Sequence, residues 1–347
     1  MNQFKFLFFI VLLNTNFSFA QKATGFQILE KPMEKKVDIL FNKKLLTSYI
    51  YPDSVSKAVL WPVNTLEGIT VTRGFPLKSV LGERTDHPHH IGIWMNYESV
   101  NGIDFWNNST AIPAEKKSKY GTIIHTGISS KKASKNSASL TVTAKWMNNN
   151  GEQFLSEKTI YDFSVMKNKF FITRTSYLSS LDKEVVFKDV KDGFFAIRVA
   201  RELEMPSKEP LIFTDIHGNK TEIDPTPDKK VSGMYYNSEG ETGDDVWAKT
   251  AKWVVLKGRK DHKNISLAMF DHPSNIGYPT YWHARGYGLF ALNPLGRKVF
   301  SNGKEELNFT LPPKTSQRFM YRVVVSTDDL STEEMNRLAD EFAKKVK

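Results

Sequence analysis

The chain alternates between apolar and polar residues in short runs, from about residue 25 to about residue 325. Seven runs show this most clearly, each bounded by glycine, proline, asparagine, aspartate or serine: Leu140–Trp146, Thr159–Val165, Phe170–Tyr177, Phe194–Ala200, Trp253–Lys257, Ile265–Phe270 and Phe319–Val325. Such runs are typical of β-strands in a large antiparallel sheet system. The regular helical segments that a βαβ fold requires are missing between them. The pattern therefore predicts an all-β protein, built as a large antiparallel β-sandwich.

One segment near the C-terminus has the pattern of an amphipathic helix instead. It begins at Ser331, where Ser331-x-x-Glu334 forms a capping box, and extends to about Lys345. Its apolar residues recur at helical spacing and share one face: Met335, Leu338 and Phe342. We expect this helix to pack on the outside of the sandwich.

The N-terminal residues have the pattern of a secretory signal peptide. Lys5 provides a positive charge, Phe6–Leu13 form a short apolar segment, and Ser18-Phe19-Ala20 is a small-x-small cleavage pattern. We predict that residues 1–20 are removed, that residues 21–347 form a single domain, and that the protein is periplasmic or secreted. No later segment has the roughly 18 consecutive apolar residues of a membrane helix, so we expect no membrane anchor.

The composition limits both the chemistry and the partners. The chain has no cysteine, which excludes disulfides, a thiolate nucleophile and cysteine metal sites. It has 48 Lys+Arg against 38 Asp+Glu, and this formal charge of +10 favours an acidic partner. Export makes nucleic acid a poor candidate for that partner, and an anionic polymer remains.

The histidines are concentrated in two parts of the chain. Three of the eight lie in Arg84-Thr85-Asp86-His87-Pro88-His89-His90, directly before the apolar run Ile91–Met95. Two more, His272 and His283, lie in the second part, and Asp-His-Pro occurs in both, at 86–88 and 271–273. Imidazole exchanges protons near neutral pH, so such loops are candidates for acid–base chemistry. For His87 and His272, each of which precedes a proline, structural hydrogen bonding in the loop is the favoured interpretation.

The spacing of the clustered histidines is only weak evidence for a metal-binding site. This spacing lacks the i, i+4 pattern of a helical zinc site, and adjacent histidines on a strand point to opposite faces. We therefore assign no metal ligand, and the sequence identifies no cofactor.

Arginine can bind a carboxylate or sulfate, and tyrosine and tryptophan provide flat faces for sugar rings, so the two histidine segments predict a site for an acidic sugar. Two reaction types remain open for such a sugar. Hydrolysis requires a pair of carboxylates about 5–10 Å apart, and the candidates for that pair are Asp86, Glu98, Asp104, Asp192 and Asp271. Elimination requires a cation to neutralise the uronate carboxylate, a base to remove the C5 proton and an acid to protonate the leaving oxygen. The residue types of the two histidine segments fit elimination at least as well as hydrolysis. A carbohydrate-binding protein without catalysis is the third hypothesis.

Two blocks of the sequence resemble the PmoA-like family of exported bacterial proteins. The first is Asp86–Trp94 with Val100–Trp106, and the second is Asp271–Asn275 with Tyr281–Gly296. The resemblance implies a galactose-mutarotase-like supersandwich. It also implies an activity similar to that of the oligosaccharide dehydratases of ulvan breakdown, which form an unsaturated uronate at a non-reducing end. The expected partner is an anionic oligosaccharide.

We assign candidate roles to residues in or near these blocks. The candidate bases are His90 and His283, and the candidate acids are Tyr281 and Tyr287. The candidate substrate-binding residues are Arg84, His89, Arg198 and Arg285, with Trp94 and Trp282 as stacking platforms for a sugar ring.

Overall fold

The alternating runs form the strands of two large antiparallel sheets. The structure is a computed structural model that describes residues 24–206, 211–214, 220–223 and 231–345. The predicted signal peptide, residues 1–20, lies outside the described residues. All seven predicted runs coincide with strands to within two residues or lie inside longer ones.

The described residues contain twenty strands and few helical turns. The strands are β1 (Phe26–Lys31), β2 (Lys36–Phe41), β3 (Lys44–Ile50), β4 (Val59–Val63), β5 (Ile93–Tyr97), β6 (Gly121–Ala133), β7 (Ser137–Asn148), β8 (Gln153–Met166), β9 (Lys169–Ser180), β10 (Val185–Val186), β11 (Gly193–Arg198), β12 (Leu211–Thr214), β13 (Lys220–Ile223), β14 (Met234–Asn237), β15 (Trp253–Lys260), β16 (Lys263–Asp271), β17 (Tyr281–Arg285), β18 (Leu289–Asn293), β19 (Thr310–Leu311) and β20 (Ser316–Ser326). The α-helices are α1 (Arg297–Phe300) and α2 (Thr332–Ala343), and the 3₁₀ turns are Pro32–Glu34, Ala114–Lys119, Arg201–Leu203 and Gly243–Val246.

Each large sheet has eight strands. Sheet one has the order β1-β2-β3-β4-β5-β11-β18-β17, and sheet two has the order β14-β15-β16-β20-β9-β8-β7-β6. The pairs β10–β19 and β12–β13 form two small two-stranded sheets. The prediction of an all-β, antiparallel sandwich is confirmed.

The inner faces of the two sheets share one apolar core. The ring of Phe195 from sheet one stacks on that of Tyr321 from sheet two, with 5.0 Å between centroids. The rings of Tyr49 and Tyr161 also meet across the two sheets, tilted by 53° with 5.8 Å between centroids. Aromatic pairs of this kind add to the free energy gained from burial, so they hold the two sheets together.

Because side chains alternate along each strand, the outer face of sheet one carries a second apolar cluster that is separate from the shared core. On β5, Ile93 and Met95 enter the shared core, whereas Trp94 between them packs in a separate cluster on the outer face. Ala196 of β11 and Ala291 of β18 belong to the same outer cluster. Because successive side chains of a strand point to opposite faces, this pattern defines an outer surface of sheet one that is distinct from the core.

The predicted C-terminal helix is present and covers the outer face of sheet two. Helix α2 begins after Ser331, whose side chain accepts a hydrogen bond from the backbone N–H of Glu334 at 3.3 Å. This confirms the N-terminal cap. The apolar face of the helix packs on residues of β9, β15, β16 and β20 through Met335, Leu338 and Phe342. None of the helices in the described ranges is long and apolar enough to cross a lipid bilayer.

We predict that Leu338→Ala lowers the free energy of unfolding by about 2–5 kcal/mol, because it leaves a cavity between α2 and sheet two. Leu338 has no solvent exposure, whereas Leu81 is fully exposed and provides a matched control. Chemical denaturation of both variants measures the difference. Equal effects of Leu338→Ala and Leu81→Ala would contradict the packing described here.

Candidate functional site

The candidate site is built on the outer face of sheet one, where a row of paired residues forms a floor. Trp94 of β5 is opposite Ala196 of β11, Ala196 is opposite Ala291 of β18, and Ala291 is opposite His283 of β17. The two alanines are small, so the indole of Trp94 packs against them. The imidazole of His90 stacks on that indole, with 5.3 Å between ring centroids.

Arg73 holds the histidine segment above this floor. Its guanidinium is 1% exposed, and it donates hydrogen bonds to four backbone carbonyl oxygens at 2.8–3.3 Å, those of Arg84, Asp86, His87 and His90. Burial lowers the pKa of Arg73 to about 9, so the side chain remains charged at neutral pH. A loop without regular structure is thereby fixed by one buried cation.

Asp86 joins this loop to sheet one. Its Oδ1 accepts hydrogen bonds from Arg73 at 2.9 Å and from Arg198 of β11 at 2.8 Å. Its Oδ2 lies 3.3 Å from Nδ1 of His87. Burial opposes ionisation of Asp86, but the hydrogen bond from His87 and the charges of Arg198 and Arg73 outweigh it and hold the pKa of this carboxyl well below its usual range.

Three parallel rings lie over the floor. The imidazole of His87 stacks on that of His90 at 4.8 Å and on the phenol of Tyr287 at 5.1 Å, with interplanar angles of 3°. His87 is the exposed member, since 41% of its side chain is accessible, whereas His90 is buried. With Nδ1 of His87 facing the Asp86 carboxylate, its Nε2 is the nitrogen left for a ligand.

Tyr287 is held beside His87 by a buried cation. The guanidinium carbon of Arg198 lies 4.9 Å from the centre of the phenol ring, which is a cation–π contact. Burial raises the pKa of Tyr287 to about 12, although Arg198 and Arg285 act in the opposite direction. The phenol is therefore protonated at neutral pH and available as a proton donor.

Two carboxyl groups lie on the other side of the site. The backbone N–H of Asp192 donates to Oε2 of Glu98 at 3.3 Å, and the backbone N–H of Glu98 donates to the carbonyl oxygen of Asp192 at 2.9 Å. Burial raises the pKa of Glu98, and the charge of Asp192 raises it further. Burial also raises the pKa of Asp192. Both effects favour the protonated form of one member of the pair.

His283 faces this pair from β17. It is 3% exposed, and its Nδ1 lies 3.9 Å from Oδ1 of Asp192. Burial, with the nearby charges of Lys191 and Arg285, lowers the pKa of His283 to about 3. The imidazole is therefore neutral, and its contact with Asp192 is not an ion pair. Among the described residues its Nδ1 has no hydrogen-bond partner.

Partly exposed cations border the same side. Arg285 lies two residues after His283 on β17, and its guanidinium lies 5.8 Å from the centre of the Trp247 ring. Lys191 lies 3.6 Å from Oδ1 of Asp192, and half of its side chain is exposed. Both charges border the candidate site, and the assignment of Arg285 as a substrate-binding residue stays a prediction.

The structure corrects the assignment of His90 as the base. Trp94 and His87 cover its two faces, and Arg198 lies 3.3 Å from its Nδ1. Burial lowers the pKa of His90 well below its ordinary value. A ring enclosed in this way supports His87 and does not reach a sugar. The exposed imidazole is His87, for which the sequence favoured a structural role in the loop.

Two predicted stacking platforms are wrong. Trp94 and Trp282 are both 0% exposed, so neither offers a face to a sugar ring. Trp94 lies under His90, and Trp282 points from β17 into the shared core, where its indole N–H donates to the carbonyl oxygen of Ala251. The alternation of β17 explains this, because Tyr281, His283 and Arg285 occupy the opposite face.

Two predicted anion-binding arginines are also corrected. Arg198 is 0% exposed and is bound by Asp86, and Arg84 is 4% exposed and donates through Nε to Glu204 at 3.0 Å. Arg201 pairs with the same Glu204 oxygen. These buried pairs shape the site, and their cations are not presented to a substrate.

The remaining candidates lie at the edges. The hydroxyl of Tyr281 donates to Glu305 at 3.1 Å, and its ring stacks on Phe300, away from His87 and Tyr287. His89 is 9% exposed and contacts His90 edge to face at 4.3 Å. Within the described residues, no group of three or more His, Asp or Glu side chains is arranged to hold a metal ion.

The second Asp-His-Pro is not part of the site. His272 lies against the ring of Phe342 in α2, with 5.0 Å between centroids, and its Nδ1 is 2.7 Å from Oγ of Ser274. Asp271 is buried and accepts hydrogen bonds from Asn275 and from the backbone of Thr280. The second tripeptide therefore supports the packing of the C-terminal helix.

Fold and site together define a large β-sandwich protein with a polar site on the outer face of one sheet. The chain belongs to DUF6807, a family of unknown function, whose sequence model matches residues 36–340. No curated protein matches the chain.

Several solved structures are similar to this chain at low sequence identity. The galactosidase domain of the alpha-galactosidase-sucrose kinase AgaSK is 12% identical, with a TM-score of 0.43, over 88% of this chain and 42% of that one. The GH36 alpha-galactosidase AgaB from Geobacillus stearothermophilus is 11% identical, with a TM-score of 0.40, over 88% and 42%. A galactose mutarotase related enzyme from Lactobacillus acidophilus is 11% identical, with a TM-score of 0.29, over 88% and 98%. The match therefore covers less than half the length of the first two proteins.

We predict that Asp86→Asn lowers the free energy of unfolding by roughly 3–5 kcal/mol at neutral pH, because it leaves Arg73 and Arg198 without a shared carboxylate. The pKa of Asp86 is lower in the folded protein than its ordinary value of 3.8. The contribution of Asp86 to the free energy of unfolding is therefore complete above that value. It is lost as the pH falls through the pKa that this carboxyl has in the folded protein. Urea denaturation at neutral pH and below about pH 4 should show the difference between variant and wild type shrinking in acid.

The matched control is Asp182→Asn. Asp182 is largely exposed and pairs with Lys314 on the surface, so its loss should change stability by no more than about 0.5 kcal/mol. A difference between Asp86→Asn and wild type that stays constant with pH would contradict the assigned role of the carboxylate.

Proposed function

We propose that the protein is an exported carbohydrate-active lyase of the dehydratase type. Its substrate is the non-reducing-end uronic acid of an anionic, ulvan-type oligosaccharide, from which it eliminates water to give an unsaturated uronate. The observation that carries this proposal is the pair formed by His87 and Tyr287. An exposed imidazole aligned by a buried carboxylate lies 5.1 Å, ring to ring, from a protonated phenol.

Each step of the elimination has a residue of the right chemistry. The C5 proton lies alpha to the uronate carboxylate, and Nε2 of His87 takes it while Asp86 stabilises the imidazolium that forms. Arg285 and Lys191 offset the charge that develops on the substrate carboxylate. The C4–O bond breaks, the electron pair of the C5–H bond forms the C4=C5 double bond, and Tyr287 donates the proton with which the hydroxyl leaves as water.

Arg198 completes the cycle without touching the substrate. Once Tyr287 has given up its proton, the buried guanidinium at 4.9 Å stabilises the phenolate. The proton held by His87 then returns to the phenolate directly or through water, which restores both groups. This role explains a fully buried cation beside a tyrosine ring.

Three further features support the proposal. His87 and Tyr287 come from the two sequence blocks that resemble the PmoA-like family, about 200 residues apart in the chain. The formal charge of +10 favours an anionic substrate. The predicted signal peptide assigns the protein to the periplasm or the medium, where polysaccharide fragments occur.

A glycoside hydrolase is the second candidate, because the site also contains the carboxyl pair of Glu98 and Asp192. The raised pKa of each carboxyl is what a general acid requires. Incubation with uronate-ended oligosaccharides separates the candidates. Elimination gives near-ultraviolet absorbance of the conjugated product, and hydrolysis gives reducing sugar without that absorbance. Binding with neither change leaves a carbohydrate-binding protein.

We predict that His87→Asn lowers the rate of elimination by about 10²- to 10⁴-fold, since the loss of a general base has an effect of that size. The product is followed by its ultraviolet absorbance. The variant should remain folded, because the backbone of His87 has a left-handed φ of 44°, which asparagine tolerates.

His262→Asn is the matched control for this measurement. His262 also has a left-handed φ, of 61°, and lies in an exposed turn away from the site. It should retain wild-type activity. Full activity of His87→Asn together with the wild-type melting temperature would rule out His87 as the base.

A further inference from the structure

A single buried lysine lies directly beneath the histidine segment. Lys57 belongs to the loop before β4 and is 3% exposed. Its Nζ donates a hydrogen bond to the backbone carbonyl oxygen of His89 at 2.7 Å. The same Nζ lies 5.5 Å from the centre of the Trp94 ring, on which His90 stacks. One ammonium group thus contacts both the backbone of the loop and the ring below it.

The side chain of Lys57 also borders a small polar cavity between the two sheets. The cavity has a volume of about 10 Å³, and its lining combines apolar side chains with the charged and phenolic groups of Lys57, Tyr49, Glu157, Tyr161 and Arg174. A volume of this size suits a single water molecule, provided that polar partners surround it. Arg174 bonds to Glu157 through Nη2, and its Nη1 is buried without a partner in the described part of the chain. The cavity therefore offers Lys57 a polar neighbour, but no direct ion pair.

The positive charge of Lys57 is only weakly stabilised by the groups around it. No carboxylate of the described residues lies within 4 Å of its Nζ. Burial lowers the pKa of Lys57 to about 7, and the more distant charge of Asp104 raises it only partly. The other titratable groups near it are His89 on the loop, and Tyr49, Glu157, Tyr161 and Arg174 around the cavity. The ammonium and the neutral amine are thus both populated close to neutral pH.

We propose that Lys57 is a positioning residue, whose ammonium anchors the carbonyl oxygen of His89 and so sets the placement of the rings of His87 and His90. An ammonium holds a carbonyl oxygen more strongly than a neutral amine does, because its hydrogen bond is assisted by charge. Loss of the proton therefore weakens the anchor and removes a positive charge from beneath the imidazoles. The effect on turnover rests on the proposed function, whereas the anchor itself does not.

The test uses the imidazole of His90 as a reporter, observed by NMR of its ring C–H group in the protein without its predicted signal peptide. Burial keeps His90 neutral around pH 7, so its own titration does not interfere. In the His87→Asn background, which removes the exposed imidazole that stacks on the reporter, we expect its signal to shift with an inflection near pH 7, the value to which burial lowers the pKa of Lys57. Lys57→Met should abolish this inflection. Lys57→Arg should also abolish it, because arginine stays charged throughout.

Lys169→Met provides the matched control. Lys169 is 5% exposed, but it pairs with Asp328 and Glu334 beside the C-terminal helix, away from the site. This variant should retain the inflection of His90. Persistence of the inflection in a folded Lys57→Met or Lys57→Arg protein would overturn the proposal, and the second variant keeps the test decisive if the first does not fold.

A kinetic measurement distinguishes this inference from the proposed function. On a uronate-ended oligosaccharide, Lys57→Met should lower kcat by roughly 10- to 100-fold with little change in KM, as expected for a misplaced base. Lys57→Arg should restore most of the rate and remove the limb of the pH profile near pH 7. A wild-type protein without turnover would refute the proposed reaction and leave the NMR result to decide the role of Lys57.

Discussion

The arrangement of the site depends on one carboxylate, that of Asp86, which two buried arginines share. Arg73 lies in the loop between β4 and β5, and its backbone N–H donates to the carbonyl oxygen of Arg198 on β11. Without the carboxylate of Asp86, these two neighbouring cations would repel each other away from water. Oδ1 of Asp86 accepts a hydrogen bond from each guanidinium at 2.8–2.9 Å, which leaves Oδ2 to orient His87. The histidine segment lacks regular secondary structure, so this ionic contact, with the backbone bonds of Arg73, takes the place of a helix or strand in fixing it.

The same contact explains why the site combines rigidity with one exposed group. Arg198 extends the network from Asp86 to Tyr287, and the stacked rings of His90 and Trp94 fill the space below. Only His87 emerges from the stack with substantial exposure. A largely buried supporting shell keeps a catalytic group in place, because its members are locked by packing and hydrogen bonds.

The two Asp-His-Pro tripeptides show how context decides the use of identical residues. In the first, the carboxylate meets two arginines and the imidazole faces solvent. In the second, Asp271 bonds to Asn275 and to the backbone of Thr280, and His272 packs against Phe342. No local feature of the sequence separates these outcomes, since they depend on which strands and helices approach each loop.

The sequence by itself determined the strands, the C-terminal helix and its serine cap, because these follow from alternation, helical periodicity and local hydrogen bonding. It also identified the two segments that supply His87, Tyr287, His283 and Arg285. Only the tertiary structure decided which side chains are exposed. Burial of Trp94, Trp282, Arg84 and Arg198 depends on the pairing of strands and on ion partners distant in the chain, such as Glu204. The exposure of His87 and the contact of Lys57 with His89 likewise arise from residues that meet only after folding.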